Sequence, residues 1–410
     1  MHFNPAAPTV MHIDINSCFA TIEQQANPFL RGKPLAIGAY TTNAGCILAA
    51  SIEAKKVGVK TGMRVREAKL LCPGLIVLPS DPYKYRFVHK KMRAILKDYT
   101  NNFYPKSIDE FVLYLKGYPA LANQTPWELG REIKSRIANE VGDWIRVSIG
   151  FGPNRFLAKT AAGFKKPDGL TIIDQGNFAD IYERLSLVDL HGINVRNEAR
   201  LHSVGIYSVP QFYNAELPQL RSAFHSVLAY YWYLRLRGWE IDNMEFARKS
   251  FGNQHALSKP YSEIDDLAPI MTKLVTKTAS RLRKGGYIAR GVSVYISYRR
   301  HHRNSPSWHK QLTLPHPIYA TTDILRAALI LLHQSPRKPV RVLSVSCFDI
   351  IKEQKLQLNI FENEGKKQNL FRKIDLINGR WGDYTISPAS VLMAGGTVHD
   401  RIAFGGVTEL

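Results

Sequence analysis

The chain has 410 residues, 45% hydrophobic and 22% charged, a composition that excludes a disordered chain or a coiled coil and indicates about two to four domains. The net charge of +21 indicates a polyanionic partner, nucleic acid before an anionic membrane surface, with a basic enzyme lacking such a partner as the alternative. The four cysteines show no disulfide or zinc spacing, and no signal peptide or membrane span is evident, which favours a soluble cytoplasmic protein.

The first third of the chain alternates strands with helices, which predicts an α/β or α+β fold. Apolar alternation predicts strands at residues 9–15, 34–40 and 144–152, and on either side of residues 107–110 within the segment 103–115. Helical periodicity and turn residues predict helices at residues 17–26, 51–59, 66–72, 83–98, 126–141 and 154–165.

The remainder of the chain changes character twice. Residues 174–240 are predicted to be helical with short loops, and the mixed charge of residues 241–250 is typical of a linker. Strands around two helices are predicted for residues 251–360, followed by a mixed tail. Residues 244–355 hold nineteen Lys or Arg against seven Asp or Glu, a local excess that suits contact with nucleic acid.

Three carboxylates stand at the ends of predicted strands. Asp14 ends an apolar strand, and Asp109 and Glu110 lie between two others. Nucleotide addition uses two Mg²⁺ ions roughly 3.5–4 Å apart, which need hard oxygen ligands. Since neighbours in a regular strand face opposite ways, Asp109 and Glu110 can share a site only where a turn or bulge breaks the pleat. The alternative is that each carboxylate merely decorates a strand end.

Four ordered blocks in this sequence resemble the Y-family DNA polymerases. They are HIDINSCFATIE at residues 12–23, EAKKVGVKTGM at residues 53–63, SIDE at residues 107–110, and a segment running from SIG to KPDG at residues 148–169. The similarity extends over essentially the whole chain. Four blocks in the family's order are far more specific than any one of them.

The resemblance implies an α+β, multidomain right-hand polymerase. Its domains would be a palm at 1–17 and 84–173, small fingers at 18–83, a helix–hairpin–helix thumb at 174–241, a linker at 242–249, a little finger with a β-sheet and two helices at 250–358, and a C-terminal tail at 359–410.

The resemblance also implies a DNA-directed DNA polymerase that performs low-fidelity translesion synthesis in DNA repair and damage tolerance. Asp14, Asp109 and Glu110, with the backbone carbonyl of Ile15, would hold two Mg²⁺ ions. Primer–template DNA and deoxynucleoside triphosphates would be the substrates, and the protein would be a cytoplasmic monomer, associated with the nucleoid when bound to DNA. Two alternatives are an inactive or weak scaffold on the same fold and a basic nucleic-acid-binding module without chemistry.

Three residues match the family's nucleotide contacts. Phe19 matches a steric gate that would leave no room for a ribose hydroxyl; a core phenylalanine is the alternative. Lys166 and Lys55 match contacts to the triphosphate, with solvated surface lysines as the alternative. Ile52 and Lys55 stand where the family often has tyrosine and arginine, so nucleotide binding is expected to be weaker unless another residue compensates. Asn16 replaces an aspartate that is not a metal ligand, so little is expected of it.

Two groups of residues match the family's grip on DNA. Gly192 and Asn194 belong to a thumb hairpin that would present backbone N–H groups to a phosphate; a plain helical turn is the alternative. Asn194 stands where a second glycine is usual and is expected to tolerate left-handed backbone there. The basic runs would bind phosphates or form a solvated face, and they comprise Arg281, Arg283, Lys284, Arg299, Arg300 and Arg303.

A short segment after the last predicted strand resembles the pentapeptide that binds the bacterial sliding clamp. Its anchors would be Gln357, Leu358, Ile360 and Phe361. Apolar anchors in a pocket carry most of the affinity of such peptides. The alternative is the end of a core strand.

Overall fold

The computed structural model of this chain describes residues 2–242, 248–298, 306–353 and 364–393. These residues form two compact units, one ending at residue 242 and the other beginning at residue 248. The residues between these two ranges belong to the segment predicted as a linker, residues 242–249, and that boundary stays a prediction.

A five-stranded sheet organises the first unit. Its strands are β1 (Val10–Ile15), β5 (Phe103–Pro105), β6 (Glu110–Tyr114), β7 (Val147–Gly152) and β8 (Leu170–Ile172). Their order is β5-β6-β1-β7-β8, with β1 antiparallel to both neighbours and β8 parallel to β7. The central position of β1 places its last residues between two strands, at the end of the sheet where the candidate site lies.

Alternation along β1 divides the two faces of this sheet. Met11, Ile13 and Ile15 are buried in the core that includes α4 (Pro82–Lys97) and α5 (Pro126–Glu140). Burying each such side chain contributes about 1.5–3 kcal/mol. The even-numbered residues of β1 point to the opposite face.

Helix α6 (Arg155–Phe164) packs on that opposite face. It approaches so closely that a β-carbon on Gly150 of β7 would lie 2.2 Å from the Ala158 carbonyl oxygen. The helix begins at the cap residue Asn154, whose side-chain oxygen accepts a hydrogen bond from the Leu157 N–H at 2.7 Å. Losing such a cap typically costs about 1 kcal/mol.

A smaller sheet follows β1 in the chain. Its strands are β2 (Leu35–Gly38), β3 (Ile47–Ala50) and β4 (Ile76–Pro79), in the order β3-β2-β4. The helices of this region are α1 (Cys18–Ala26), α2 (Ile52–Lys56) and α3 (Val65–Leu71). Most of its own core side chains are small, such as Ala36, Ala50, Ala54 and Ala68. This region therefore has a small core of its own.

Residues 174–240 contain helices joined by short loops, as predicted. The helices are α7 (Phe178–Glu183), α8 (Val195–His202), α9 (Val209–Asn214), α10 (Leu217–Phe224) and α11 (Leu228–Arg235). Trp232 is central to their core, with ring centroids 5.3 Å from Phe156 of α6 and 5.5 Å from Phe212. This aromatic packing joins the helical region to the large sheet through α6.

The second unit has a four-stranded antiparallel sheet with two helices. The strands are β9 (Ser250–Tyr261), β10 (Tyr287–Tyr298), β11 (Ser307–Ile318) and β12 (Val340–Lys352), ordered β11-β10-β12-β9. Alternate residues such as Val292, Val294 and Leu343 share one core with α12 (Ile264–Lys284) and α13 (Thr321–His333). The strands-around-two-helices prediction agrees with this arrangement.

The segment predicted as a mixed tail contains helices. They are α14 (Glu364–Trp381) and α15 (Ser390–Met393). Phe371 is buried with Ile288 and Tyr319, so α14 packs against the rest of the second unit. Sequence reasoning missed this because α14 is polar over most of its length and gains stability from tertiary contacts. Within the described parts of the chain, no helix has the length and apolarity needed to cross a membrane.

Candidate active site

Two of the predicted metal ligands face each other across neighbouring strands. Asp14 of β1 is the register partner of Glu110, the first residue of β6. Directly opposed residues in an antiparallel pair project from the same face of the sheet. The two carboxylates, 96 positions apart in the chain, are therefore brought together by strand pairing.

The predicted break in the pleat lies immediately before Glu110. Asp109 lies outside β6, and the backbone N–H of Lys106 donates to the Glu110 carbonyl at 2.8 Å, which closes a tight turn. Asp109 is also tied to β1, because the Ile15 N–H donates to its carbonyl oxygen at 2.9 Å. Its carboxylate accepts a hydrogen bond from the Ser107 hydroxyl at 2.5 Å.

The structure adds two residues to this site that sequence reasoning did not single out. His12 lies two residues before Asp14 on the same face of β1, and one ligand atom each from His12, Asp14 and Glu110 lie within 4.8 Å of one another. Lys159 of α6 holds both oxygens of Glu110, at 2.9 and 2.8 Å. The sequence could have indicated His12, because it precedes Asp14 by two residues in a predicted strand and so lies on the same face. Nothing in the sequence indicated that Lys159 pairs with Glu110.

Burial and nearby ammonium groups set the charge of the carboxylates. Burial raises the pKa of Asp14 above its ordinary value, although Lys166 opposes this shift. Burial also raises the pKa of Asp109. For Glu110, burial acts in the same direction, but Lys159 and other neighbours outweigh it and hold the pKa below its ordinary value. Glu110 is therefore the most firmly ionised of the three.

Lys166 reaches directly into the carboxylate group. Its ammonium nitrogen lies 2.7 Å from Oδ1 of Asp14. The lysine belongs to the K-P-D-G turn, residues 166–169, which connects α6 to β8. A predicted triphosphate contact is thus placed beside a predicted metal ligand.

A cavity of about 530 Å³ opens beside these groups. It is lined by six of the predicted site residues, namely Asp14, Ile15, Phe19, Lys55, Asp109 and Lys166, and also by Asn16 and Ile52. Glu110 is outside this lining and reaches the site through its pairing with Asp14. Burial lowers the pKa of Lys55, and the charge of Lys166 adds to that effect.

Phe19 lies at the boundary between core and cavity. Only 4% of its surface is exposed, and its ring stacks on Tyr85 with centroids 4.2 Å apart. The gate and core interpretations of Phe19 are therefore compatible, because one buried ring both packs on Tyr85 and forms part of the cavity wall. Ile52, which departs from the family pattern, lines the same cavity as an apolar surface.

The hairpin predicted to bind a phosphate forms, but not for the expected reason. Gly192 has φ +99°, a left-handed conformation that suits glycine. Asn194 is extended (φ −101°, ψ 173°) and caps α8 by accepting hydrogen bonds from the N–H groups of Arg196 and Asn197. The expectation of a left-handed Asn194 is wrong. Its side chain instead caps the N-terminus of α8.

The basic residues at the end of α12 have different surroundings. Arg283 forms a two-pronged pair with Asp375 of α14, at 2.7 and 2.9 Å, which ties the end of α12 to α14; its contact with a DNA phosphate stays a prediction. Lys284 is exposed, and Arg281 donates to the Gly252 carbonyl at 3.0 Å. The remaining predicted DNA and clamp contacts lie outside the described residues; they are Arg299, Arg300, Arg303, Gln357, Leu358, Ile360 and Phe361.

Acid should destabilise the first unit through His12. Burial lowers the pKa of His12 from 6.5 to about 3. Between these values the unfolded chain binds a proton that the folded chain does not, so stability increases with pH across the window and is lost as pH falls. The slope attributable to His12 is at most about 1.4 kcal/mol per pH unit.

Urea unfolding at pH 6 and pH 5 measures this effect. The free energy of unfolding should fall less between the two values in His12→Asn than in the unmodified chain. His2→Asn, at an exposed position, is the matched control for the substitution itself. An equal fall in the His12 variant would contradict the assignment.

Comparison with known proteins identifies the family of this chain. The sequence model of the impB/mucB/samB family matches residues 13–163, and that of the impB/mucB/samB family C-terminal domain matches residues 248–360. DNA polymerase IV of Pelotomaculum thermopropionicum is 33% identical over 404 residues, covering 96% of this chain and 97% of that protein. DNA polymerase IV 1 of Bacillus subtilis is 30% identical over 405 residues, covering 93% of each.

Solved structures agree with the sequence matches. A Y-family DNA polymerase chimera is similar with a TM-score of 0.70 and 25% identity, over 83% of this chain and 99% of that chain. An insertion ternary complex of the Dbh DNA polymerase is similar with a TM-score of 0.58 at the same identity and coverage. The α+β multidomain prediction and the resemblance noted in the sequence are both confirmed. The chain therefore belongs to the impB/mucB/samB family, and so to the Y-family DNA polymerases.

Proposed function

We propose that this chain adds deoxynucleotides to the 3′ end of a primer opposite a template strand, including opposite damaged bases. The observation that carries the proposal is the pairing of Asp14 with Glu110 across β1 and β6, with Asp109 in the adjoining turn. These carboxylates adjoin a cavity that also holds Lys166 and Phe19. One site thus combines acidic groups for metal ions, a cation for phosphate and an aromatic wall.

The donor set fits divalent cations that prefer oxygen. Asp14, Asp109 and Glu110, with the carbonyl of Ile15, would supply hard ligands of the kind that Mg²⁺ takes. Two such ions, when bound, stabilise the charge on the attacking and leaving oxygens of a phosphoryl transfer. We propose two Mg²⁺ ions for this site, with the burial-raised pKa values of Asp14 and Asp109 favouring neutralisation by a cation.

The chain's own residues supply orientation and selectivity. Lys159 fixes both oxygens of Glu110 and so limits the directions in which that carboxylate can turn. Lys166 and Lys55 line the cavity as cations for the triphosphate, and Phe19 forms its wall against the sugar. The apolar Ile52 cannot donate a hydrogen bond, so we propose that these lysines carry the phosphate contacts.

The small region formed by β2–β4 bears on lesion bypass. Its own core is small and built largely of short side chains, and Leu48, Ala49 and Ile52 of the same region line the cavity. A small covering region leaves room for a distorted template base, and the same tolerance lowers fidelity on undamaged bases. We therefore assign translesion synthesis, in DNA repair and damage tolerance, as the setting of the reaction.

We extend the proposal to the rest of the protein. The insertion ternary complex to which the chain is similar supports primer–template DNA and a nucleotide as ligands. Gly192, Asn194, Arg281 and Lys284 would contact DNA phosphates, which position the duplex without reading its sequence. The segment at residues 357–361 would bind a sliding clamp. The palm, fingers, thumb and little-finger boundaries predicted above, a monomeric state and a cytoplasmic, nucleoid-associated location are parts of the same proposal.

An inactive scaffold is the competing function. It would need the acidic site to serve no chemistry, whereas the three carboxylates and the lysines around them are all in place. No observation on the described residues favours the scaffold over the enzyme.

Primer extension tests the proposal directly. Purified protein is mixed with a primer annealed to an undamaged or an abasic template. Each deoxynucleotide is tested separately, with and without Mg²⁺. Extension that requires Mg²⁺ and continues past the abasic position is the expected result. If the protein binds the primer–template but extends it at no Mg²⁺ concentration, the inactive scaffold becomes the better-supported function.

A further inference from the structure

Asn16, for which the sequence predicted no role, is a buried residue that links the end of β1 to the K-P-D-G turn. It follows β1 directly and only 4% of its surface is exposed. Its side-chain oxygen accepts a hydrogen bond from the backbone N–H of Asp168 at 2.7 Å, although the two residues are 152 positions apart. Its backbone N–H donates to the Arg146 carbonyl at 2.8 Å, which anchors Asn16 itself beside β7.

Ser148 of β7 completes the connection. It is fully buried, and its hydroxyl oxygen lies 3.0 Å from Nδ2 and 3.2 Å from Oδ1 of Asn16. The same hydroxyl accepts a hydrogen bond from the Gly169 N–H at 3.2 Å. Two consecutive backbone amides of the K-P-D-G turn are thus held by two buried side chains at the end of the sheet.

The hydrogen-bond partners determine how the Asn16 amide is oriented. A backbone N–H can only donate, so the atom facing Asp168 must be the side-chain oxygen. The Nδ2 group lies 3.5 Å from the carbonyl oxygen of Asp14, which can only accept. The essential part of the contact with the turn is therefore an acceptor, which an aspartate at this position would also supply.

The turn held in this way carries Lys166. The Lys166 ammonium lies 2.7 Å from Asp14 Oδ1, and a lysine side chain reaches a given point only from a limited range of backbone positions. Lys134 of α5 also holds the turn, with its ammonium nitrogen 2.9 Å from Oδ1 of Asp168. Lys134 also donates to the Asp168 carbonyl oxygen at 2.5 Å. It therefore holds the side chain and the carbonyl of Asp168, whereas Asn16 and Ser148 hold the N–H groups of Asp168 and Gly169.

We infer that Asn16 is a positioning residue that sets the K-P-D-G turn so that Lys166 reaches the nucleotide's triphosphate. The inference rests on the proposed polymerase function. Asn16 lines the cavity, but in this scheme it acts through the backbone of Asp168. Its loss should weaken nucleotide binding more than it slows the chemical step.

Kinetics on Asn16→Ala and Asn16→Asp separate this role from a general loss of structure. Asn16→Ala removes the acceptor and should raise KM for the incoming deoxynucleotide by about tenfold, with kcat changed less than about threefold. Asn16→Asp keeps the acceptor and should return KM to within about threefold of the unmodified enzyme. If both variants have unchanged KM, or if Asn16→Asp is as impaired as Asn16→Ala, the inference is overturned.

Hydrogen exchange gives a readout that does not depend on catalysis. In the full chain, amides of a peptide covering residues 165–171 should exchange faster in Asn16→Ala and at the original rate in Asn16→Asp, because only the former releases the Asp168 N–H. A peptide from β12 is the control and should be unchanged. Unaltered exchange of the turn in Asn16→Ala overturns the inference even if KM rises.

The two measurements also separate this inference from the proposed function. If the unmodified chain fails to extend a primer, the proposed function fails, and the exchange experiment still decides whether Asn16 holds the turn. If the chain extends a primer but the turn is insensitive to Asn16, the function stands and the positioning role does not.

Discussion

Asp14→Asn should reduce the rate of primer extension by about 10³-fold, while primer–template affinity stays within about twofold. The substitution preserves the volume of the side chain but removes the charge that pairs with Lys166 at 2.7 Å and that would bind a metal ion. Single-turnover extension and a fluorescence anisotropy titration with labelled DNA measure the two quantities.

A matched carboxylate distant from the site provides the control. Asp180 is exposed on α7, so Asp180→Asn should extend at the unmodified rate. Asp109→Ala and Glu110→Gln should resemble Asp14→Asn, since all three acids are assigned to one metal site. Extension by Asp14→Asn within about tenfold of the unmodified rate would remove the basis of the two-metal proposal.

Phe19→Ala should weaken discrimination against ribonucleotides by about 100-fold, seen as the ratio of kcat/KM for a deoxynucleotide to that for its ribonucleotide. The ring is part of the cavity wall and is fixed by stacking on Tyr85 at 4.2 Å. A rigid wall excludes an additional hydroxyl more sharply than a mobile side chain would.

The same substitution also removes a buried ring, and a Phe→Ala change in a core costs about 3–5 kcal/mol. Phe19→Leu therefore serves as a second variant that keeps more of the packing, and it should show a smaller loss of discrimination. Tyr85→Phe preserves the stacking partner and should leave sugar selectivity as it was. Unchanged selectivity in both Phe19 variants would place the gate at another residue.

Local patterns in the sequence account for much of the first unit. The alternation that predicted a strand at residues 9–15 became β1, and the helical periodicity at residues 83–98 became α4. The short strands β3 and β4 were not predicted, because four residues carry little periodicity. The equally short β2 was predicted only within a longer apolar segment that follows the turn at residues 32–34. The helix α14 escaped prediction because few of its side chains, chiefly Phe371 and Ile374, pack in a core, and because it pairs with distant residues.

In the site, too, some features followed from local patterns and others depended on distant contacts. Asp14, Asp109 and Glu110 were recognisable because they occupy strand ends within motif blocks, and the break in the pleat before Glu110 followed from the alternation of side chains in a strand. Arg283 was assigned to DNA on its charge and its neighbours, and nothing local indicated its pairing with Asp375, 92 positions away. Charge identifies what a side chain is able to bind, but not which group reaches it first.

By itself the sequence determined the kinds of groups available and where they stand along each strand and helix, because those follow from residue chemistry and from repeats over two to four positions. Only the tertiary structure decided that Lys159 holds Glu110, 49 positions away, and that Asn16 holds the backbone of Asp168, 152 positions away. Such contacts depend on strand order and on how closely α6 packs against Gly150, and no local pattern encodes either. The supports of the acidic residues therefore became visible only once the chain was folded.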